Sequence, residues 1–123
     1  MSTSLLDLLM KNDLPKAEVR EFKVRRFSKA WGEDVIFKIK PIGYNRMTEI
    51  RQIEGNDFDI HLILAGVVEP DFKDKKLQAK LGVLTPVDCV KKLLTPGEIT
   101  ELVYAIEISN GYRVSNLEEI KKK

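Results

Sequence analysis

A chain of 123 residues has room for one domain with a sizeable hydrophobic core, and not comfortably for two. Its 21 basic and 19 acidic residues are close to balance, which disfavours a dedicated nucleic-acid binder, since such a protein carries a strong basic excess. A single cysteine, Cys89, excludes an internal disulfide, and no apolar run approaches the roughly 20 residues that span a bilayer. This composition predicts a cytoplasmic protein.

A short apolar stretch opens the chain, between capping serines and the helix-breaking residues Asn12–Pro15. Leu5–Met10 predicts one to two helical turns, which are marginal alone and need a surface to pack on. The stretch is too short for the apolar region of a signal peptide. It packs on its own domain, frays or docks onto a neighbouring chain, and the sequence leaves these alternatives open. If it docks, the candidate contact residues are Leu5, Leu6 and Leu9.

Two alternating segments follow, and both predict half-buried strands. Glu21–Phe27 and Val35–Lys40 each place apolar side chains on one face and charged side chains on the other. The polar link between them contains Gly32, so we predict an antiparallel hairpin. Trp31 lies in this link, where it is either a binding anchor or a side chain folded back over the hairpin. The outer face is basic, as in a solvated edge or a nucleic-acid surface: Lys23, Arg25, Arg26, Lys38 and Lys40.

After Gly43 the apolar spacing becomes helical. One helix is predicted to bury the stripe formed by Tyr44, Met47, Ile50 and Ile53. A second, more apolar helix begins after a cap at Asn56 or Asp57 and ends near Gly66. Residues 67–70 form a short extended exit, because a residue that precedes proline avoids the helical region. A brief helix capped by Asp74 and closed by Gly82 comes next.

The last structured part of the chain carries two helix-start signatures ten residues apart. Thr85-Pro86-Val87-Asp88 and Thr95-Pro96-Gly97-Glu98 both place threonine at the N-cap, proline at the first helical position and an acid at the third. Gly111 lies where a left-handed residue would end the second helix. Capping boxes are common helix punctuation, so we interpret this stretch as scaffold and not as a site.

Residues suited to catalysis are not gathered in any recognisable pattern. One histidine, His61, and one cysteine, Cys89, are too few for a zinc site, and Cys89 sits among valines as a small buried hydrophobe would. The sequence has no phosphate-binding loop and no dinucleotide fingerprint. We therefore predict a non-enzymatic binding protein without a cofactor or metal.

These patterns together predict an α+β fold that is predominantly α, with an N-terminal β-hairpin followed by a compact bundle of four to five short helices. The predicted organisation is an N-terminal segment over residues 1–20, whose mobility is left open, a single globular domain over 21–112, and a polar tail over 113–123.

The order of these pieces resembles a known family, the tail assembly chaperones of long-tailed bacteriophages, of the type found in PBSX-like prophages of Gram-positive bacteria. The similarity extends from about Leu5 to Tyr112. It is carried by Leu5-Leu6-Asp7-Leu8-Leu9, Val35-Ile36-Phe37-Lys38-Ile39, Ala65-Gly66-Val67-Val68-Glu69-Pro70, Leu93-Leu94-Thr95-Pro96-Gly97-Glu98-Ile99 and Ser109-Asn110-Gly111-Tyr112.

The resemblance implies a morphogenesis factor of the infected bacterial cell. Such proteins coat the tape-measure protein, help to recruit tail-tube subunits, tend to self-associate and are absent from the finished virion. The family provides no catalytic residues, so the contact residues rest on exposed apolar candidates: Leu5, Leu6, Leu9 and Trp31. No membrane or nucleic-acid partner is expected.

Two rival classes are kept beside this one. A structural virion protein, such as a head–tail joining or tube subunit, would be found in purified particles. A nucleic-acid-binding adaptor would use the basic hairpin and bind in a strongly salt-dependent way. A further hypothesis concerns Lys121–Lys123, since consecutive lysine codons can be slippery and several phages extend this chaperone by ribosomal frameshifting.

Overall fold

The computed structural model describes residues 4–53, 55 and 57–121. Within them, seven helices accompany one antiparallel sheet of three strands in the order β1-β2-β3. In chain order the elements are α1 (Leu5–Lys11), β1 (Arg20–Lys23), α2 (Arg25–Trp31), β2 (Ile36–Ile39), α3 (Tyr44–Arg51), α4 (Phe58–Gly66), β3 (Val67–Glu69), α5 (Lys75–Leu81), α6 (Pro86–Leu93) and α7 (Pro96–Ser109). The α+β class predicted from the sequence is confirmed.

The sheet has one apolar and one charged face, as the alternating segments predict. β1 pairs with β2 so that Phe22 lies opposite Phe37, and β2 pairs with β3 through a register irregularity at Lys38 and Ile39. Phe37 and Ile39 are buried on the inner face. On the outer face the Lys38 ammonium lies 3.5 Å from Glu69 and 3.9 Å from Glu21, so charges of opposite sign join the three strands.

Helix α4 is the centre of the fold. It packs against α7, α3 and α6, and its side chains at Ile60, Leu62 and Ile63 are buried. A helix that is apolar around most of its circumference, with only Asp59 exposed, is typical of a central element. The remaining buried aliphatic residues of the core include Ile50, Val90, Leu102, Val103 and Ile106.

Gly66, the last residue of α4, lies against α7. A Cβ atom at this position would come within 2.9 Å of the Ile106 Cδ1 atom and 3.0 Å of its two γ carbons. The Gly66 carbonyl also accepts a hydrogen bond from the Lys40 N–H at 2.9 Å, just beyond β2. The glycine of the Ala65–Pro70 motif therefore lets α4 approach α7, and its carbonyl joins the end of α4 to the sheet.

The predicted helix ends at Asp74, Gly82, Thr85, Thr95 and Gly111 are confirmed. Thr85 accepts a hydrogen bond from the Asp88 N–H, and Thr95 and Glu98 form a complete capping box. Asp74 caps α5 through the Leu77 N–H, and Gly82 and Gly111 adopt positive φ angles of 72° and 87° after α5 and α7. These ends follow from local sequence, because a cap needs only its own helix to form.

The predicted hairpin link is wrong in one respect, because it contains helix α2. Val24, Phe27, Ser28 and Trp31 follow the i, i+3, i+4, i+7 spacing of a helix face, and this period replaces the strand alternation after Lys23. Phe27 and Ser28 are buried on this face. Gly32 then ends the helix at a φ of 71°, and its N–H donates to the Ser28 carbonyl.

Three further details differ from the sequence-based expectation. The extended exit after Gly66 pairs with β2 and forms the third strand. Tyr44 is 84% exposed, because it lies at the first position of α3 and only Met47 and Ile50 of its stripe reach the core. Asp57 occupies the N-cap of α4 without a side-chain hydrogen bond. The alternative cap Asn56, and Lys122 and Lys123, lie outside the described residues.

Candidate partner-binding surfaces

The first candidate, the α1 surface, consists of the apolar side chains of helix α1. Leu5, Leu6 and Leu9 are 70%, 67% and 60% exposed, and α1 contains no buried residue. The helix is well capped, since Ser4 accepts from the Asp7 N–H and the Asn12 side chain donates to the Leu8 carbonyl. A helix with exposed leucines and no extensive packing against another described element has its apolar side available for a partner.

The second candidate, the Trp31 surface, lies at the end of α2. The Trp31 ring stacks on Phe27 with 4.8 Å between centroids and 14° between planes, yet Trp31 remains 62% exposed. The Arg26 guanidinium lies 4.4 Å from the centroid of the same Phe27 ring. The tryptophan thus folds back on its own helix and still offers most of its surface, and a ring already held in place loses little entropy on binding.

The structure does not gather all four predicted contact residues into one patch. Leu5, Leu6 and Leu9 share α1, whereas Trp31 belongs to α2, and no extensive packing joins these two helices among the described elements. Their role in binding stays a prediction.

A groove between β1 and α7 is a third surface, which the sequence did not reveal. This β1–α7 groove has a volume of about 780 Å³. Its floor includes the half-buried Phe22 and Val24, and Tyr104 and Ile108 lie on the α7 side. The alternation in residues 21–24 correctly places Phe22 and Val24 on the inner face. Whether another element covers them depends on distant packing, which local pattern does not report.

One end of the groove is organised by an ion pair between Arg26 and Glu98. The guanidinium donates from Nε to Oε2 at 3.1 Å and from Nη2 to Oε1 at 2.9 Å, and Nη2 also donates to the Leu93 carbonyl at 2.8 Å. Glu98 additionally accepts from the Thr95 N–H at 2.8 Å. The hydrogen bonds from Arg26, opposed by partial burial and assisted by Thr95, lower the pKa of Glu98 below its ordinary value of 4.5.

We expect Glu98→Gln to lower the melting temperature at pH 7 by a few degrees, because glutamine keeps the cap but loses the charge that Arg26 binds. A carboxyl group with a lowered folded-state pKa stabilises the fold above its unfolded-state pKa, and this contribution is lost as the pH falls through the folded-state pKa. The difference between wild type and variant should therefore shrink below about pH 4.5. Thermal melts between pH 7 and pH 3 measure it. In an Arg26→Gln background the pH dependence of that difference should be weaker, and an unchanged dependence would contradict the assignment.

The basic outer face proposed for nucleic-acid binding is largely neutralised by acidic neighbours. Lys23 lies 3.1 Å from Asp34, Arg26 binds Glu98, and Lys38 lies between Glu21 and Glu69. Arg25 and Arg26 also sit on α2 and not on a strand of the hairpin. A surface whose cations are already paired releases fewer counterions on binding DNA or RNA, which disfavours the adaptor class.

Cys89 and His61, the residues considered for catalysis and metal binding, have the environments of structural side chains. Cys89 is fully buried, as predicted for a small hydrophobe, and burial raises the pKa of its thiol. His61 is half-buried on α4. Among the described residues, no group of three or more His, Cys, Asp or Glu side chains could hold a metal ion. A search of the same residues found no helix with the length and apolarity of a membrane span.

A solved structure shares this fold. The crystal structure of the protein yqbn, a structural genomics target, aligns with a TM-score of 0.72 and 24% sequence identity, covering 90% of this chain and 99% of that one. At this identity the likeness establishes the fold alone. A search of curated proteins found no match.

The family model described as Phage XkdN-like tail assembly chaperone protein matches residues 5–122. The chain therefore belongs to this family, and the resemblance noted in its sequence is confirmed. Membership assigns it a role as a chaperone in phage tail assembly, which involves binding other tail proteins and indicates a non-enzymatic function.

Proposed function

We propose that this chain binds the tape-measure protein during tail morphogenesis, keeps it soluble, and helps to recruit tail-tube subunits. Family membership is the observation that carries the proposal. The exposed apolar side chains support it, because a protein that covers a long apolar helical partner needs apolar contacts that form reversibly. The proposed partner contacts are Trp31 for the tape measure, and Leu5, Leu6 and Leu9 for self-association or the tape measure.

The Trp31 surface is suited to a helical partner for two reasons. Its ring is exposed and held by Phe27, so contact covers a large apolar area without ordering a loose side chain. The Arg26 guanidinium, which lies over the same Phe27 ring, is paired with Glu98, so a partner need not neutralise it. An amphipathic helix that inserts one large apolar residue beside Trp31 would match this surface.

Co-expression with the long helical tape-measure protein expected from the neighbouring gene tests the function. We expect the tape measure to be soluble and to co-purify with many copies of a tagged chaperone. A tape measure that stays insoluble while the chaperone purifies alone would contradict the proposal. Salt-dependent binding to DNA would instead support the nucleic-acid adaptor.

We expect Trp31→Ala to reduce capture of the tape measure by about tenfold or more, since truncating an aromatic hot spot costs about 2 kcal/mol of binding free energy. Titration of the tape-measure complex with labelled chaperone measures the change. Tyr44→Ala is the matched control, because Tyr44 is a more exposed aromatic residue on a different helix. Equal binding by wild type and Trp31→Ala would remove this residue from the interface.

We also propose that the chain works in the cytoplasm of the bacterial host and leaves before the virion is complete. Quantitative mass spectrometry of purified particles checks this. Stoichiometric amounts of the chain in particles would favour a head–tail joining or tube subunit over a chaperone.

A further inference from the structure

Two apolar surfaces are left open in the fold of this chain: the α1 surface and the β1–α7 groove. α1 buries none of its residues, and no residue that lines the groove comes from α1. One surface is a projecting helix and the other is a concave site. We propose that α1 of one copy of the chain docks in the β1–α7 groove of a second copy.

The β1–α7 groove lies where one more helix would pack beside α7, and its length matches that of a short helix. On the inner face of the sheet, β2 is covered at Phe37 and Ile39, whereas Phe22 of β1 and the adjoining Val24 are half-exposed beside α7. A helix laid next to α7 would complete the helical layer over the sheet. The seven residues of α1 are about 10 Å long, and the groove-lining part of α7, Glu98 to Ile108, rises about 15 Å.

The side chains of α1 form a wide apolar arc and a narrow polar strip, which suits a helix held in a groove. Placed on a helical wheel, its apolar residues cover an arc of roughly 200°, and Asp7 and Lys11 share the remaining polar strip. A helix with so wide an apolar arc is satisfied by a concave site that contacts it on several sides. The groove is lined by Arg20 of β1 and Arg25 of α2, which favours the approach of a helix bearing Asp7, and Glu101 of α7 offers the opposite charge to Lys11.

The donor helix and the acceptor groove are separated along the chain by residues 12–19. This exposed segment can extend over about 26 Å, enough to hold α1 away from its own sheet and within reach of a neighbour. Because the two surfaces differ, each copy can donate one helix and accept another. Such contacts either close reciprocally between two copies, as in a domain-swapped dimer, or continue into rings or open chains of copies.

The contact concerns this chain alone and does not rest on tape-measure binding. It divides the predicted contact residues between two partners: Leu5, Leu6 and Leu9 face a second copy, and Trp31 remains available to the tape measure. Failure of one contact would therefore leave the other unaffected.

The mass of the purified chain, measured by light scattering over a wide range of concentration, tests the proposal. We expect wild type to form dimers or larger species as concentration rises. The donor variant Leu5→Ser/Leu6→Ser/Leu9→Ser and the acceptor variant Thr100→Glu/Tyr104→Glu should each be monomeric. Thr100 and Tyr104 are both exposed and line the groove, so these changes spare the core. Leu84→Ser/Leu117→Ser is the matched control and should assemble like wild type, because it removes two highly exposed leucines elsewhere.

Mixing the two defective variants is decisive. The donor variant keeps its groove and the acceptor variant keeps its helix, so a mixture should form a dimer that does not grow further. A mixture that stays monomeric would overturn the proposal, as would wild type that is monomeric at every concentration or an acceptor variant that still assembles.

Discussion

Replacing Gly66 by valine should destabilise the fold by about 3 kcal/mol, a large part of the stability of a domain of this size. The added side chain would be driven into Ile106, which is fully buried and has no free space to move into. Gly66→Ala should cost less, about 1 kcal/mol, because one methyl group overlaps less and alanine favours the helix more than glycine does. Urea unfolding measures both free energies.

The source of this cost can be isolated with Ile106→Val, which removes the Cδ1 atom that lies 2.9 Å from the added Cβ. Alone, this change should cost about 1 kcal/mol, but in the Gly66→Ala background it should cost less, because it removes the nearest of the three atoms that the added Cβ meets and leaves the two γ carbons at 3.0 Å. Gly97→Ala is the control, since no atom lies within 4 Å of a Cβ at that position. Additive effects of the two core changes would contradict a direct clash.

Replacing Asn110 by alanine should cost about 1–3 kcal/mol, which corresponds to a fall in melting temperature of several degrees. The Asn110 side chain accepts from the Ile42 N–H at 2.7 Å and donates to the Ile106 carbonyl at 2.8 Å, so it ties the end of α7 to the chain before α3. Alanine would leave the partly buried Ile42 N–H without its acceptor.

Asn116→Ala is the matched control, because the Asn116 amide also donates to a backbone carbonyl, that of Gly111, but at an exposed position. It should change stability by less than about 0.5 kcal/mol. If both asparagine variants have the same melting temperature, the hydrogen bond from Ile42 to Asn110 does not stabilise the fold as the geometry indicates.

The parts of the fold that follow local rules were predictable from the sequence. The capping box at Thr95 and Glu98 and the left-handed end at Gly111 need no information from other elements. The hairpin strand around Phe37 was equally clear from its alternation. Helix α2 was missed because residues 21–27 satisfy a strand period up to Lys23 and a helix period from Val24 onward, and only packing of Phe27 and Ser28 decides between them.

Contacts between distant residues were not predictable. The bond from Arg26 to Glu98 spans 72 positions and that from Ile42 to Asn110 spans 68, so neither leaves a local trace. These contacts explain the structural roles of residues in the motifs that carry the family resemblance. Gly66 permits close helix packing, and Glu98 and Asn110 bind distant elements. Tyr112, from the last of these motifs, accepts a hydrogen bond from Arg51 through its hydroxyl.

The candidate partner-binding surfaces also differ in whether the sequence predicts them. Exposed leucines in α1 were foreseeable, since so short a helix cannot bury a wide apolar arc against itself. The β1–α7 groove was not, because its walls come from residues about 80 positions apart, as between Phe22 and Tyr104.

The burial of Cys89 has a practical consequence. It is the only thiol in the chain, it lies in the core beside Val90, and its burial both shields it from reagents in the native state and raises its pKa. A thiol-specific reagent can reach it only when the core opens. The rate at which Cys89 reacts with such a reagent therefore measures how often the core opens by local or global unfolding, without any added label.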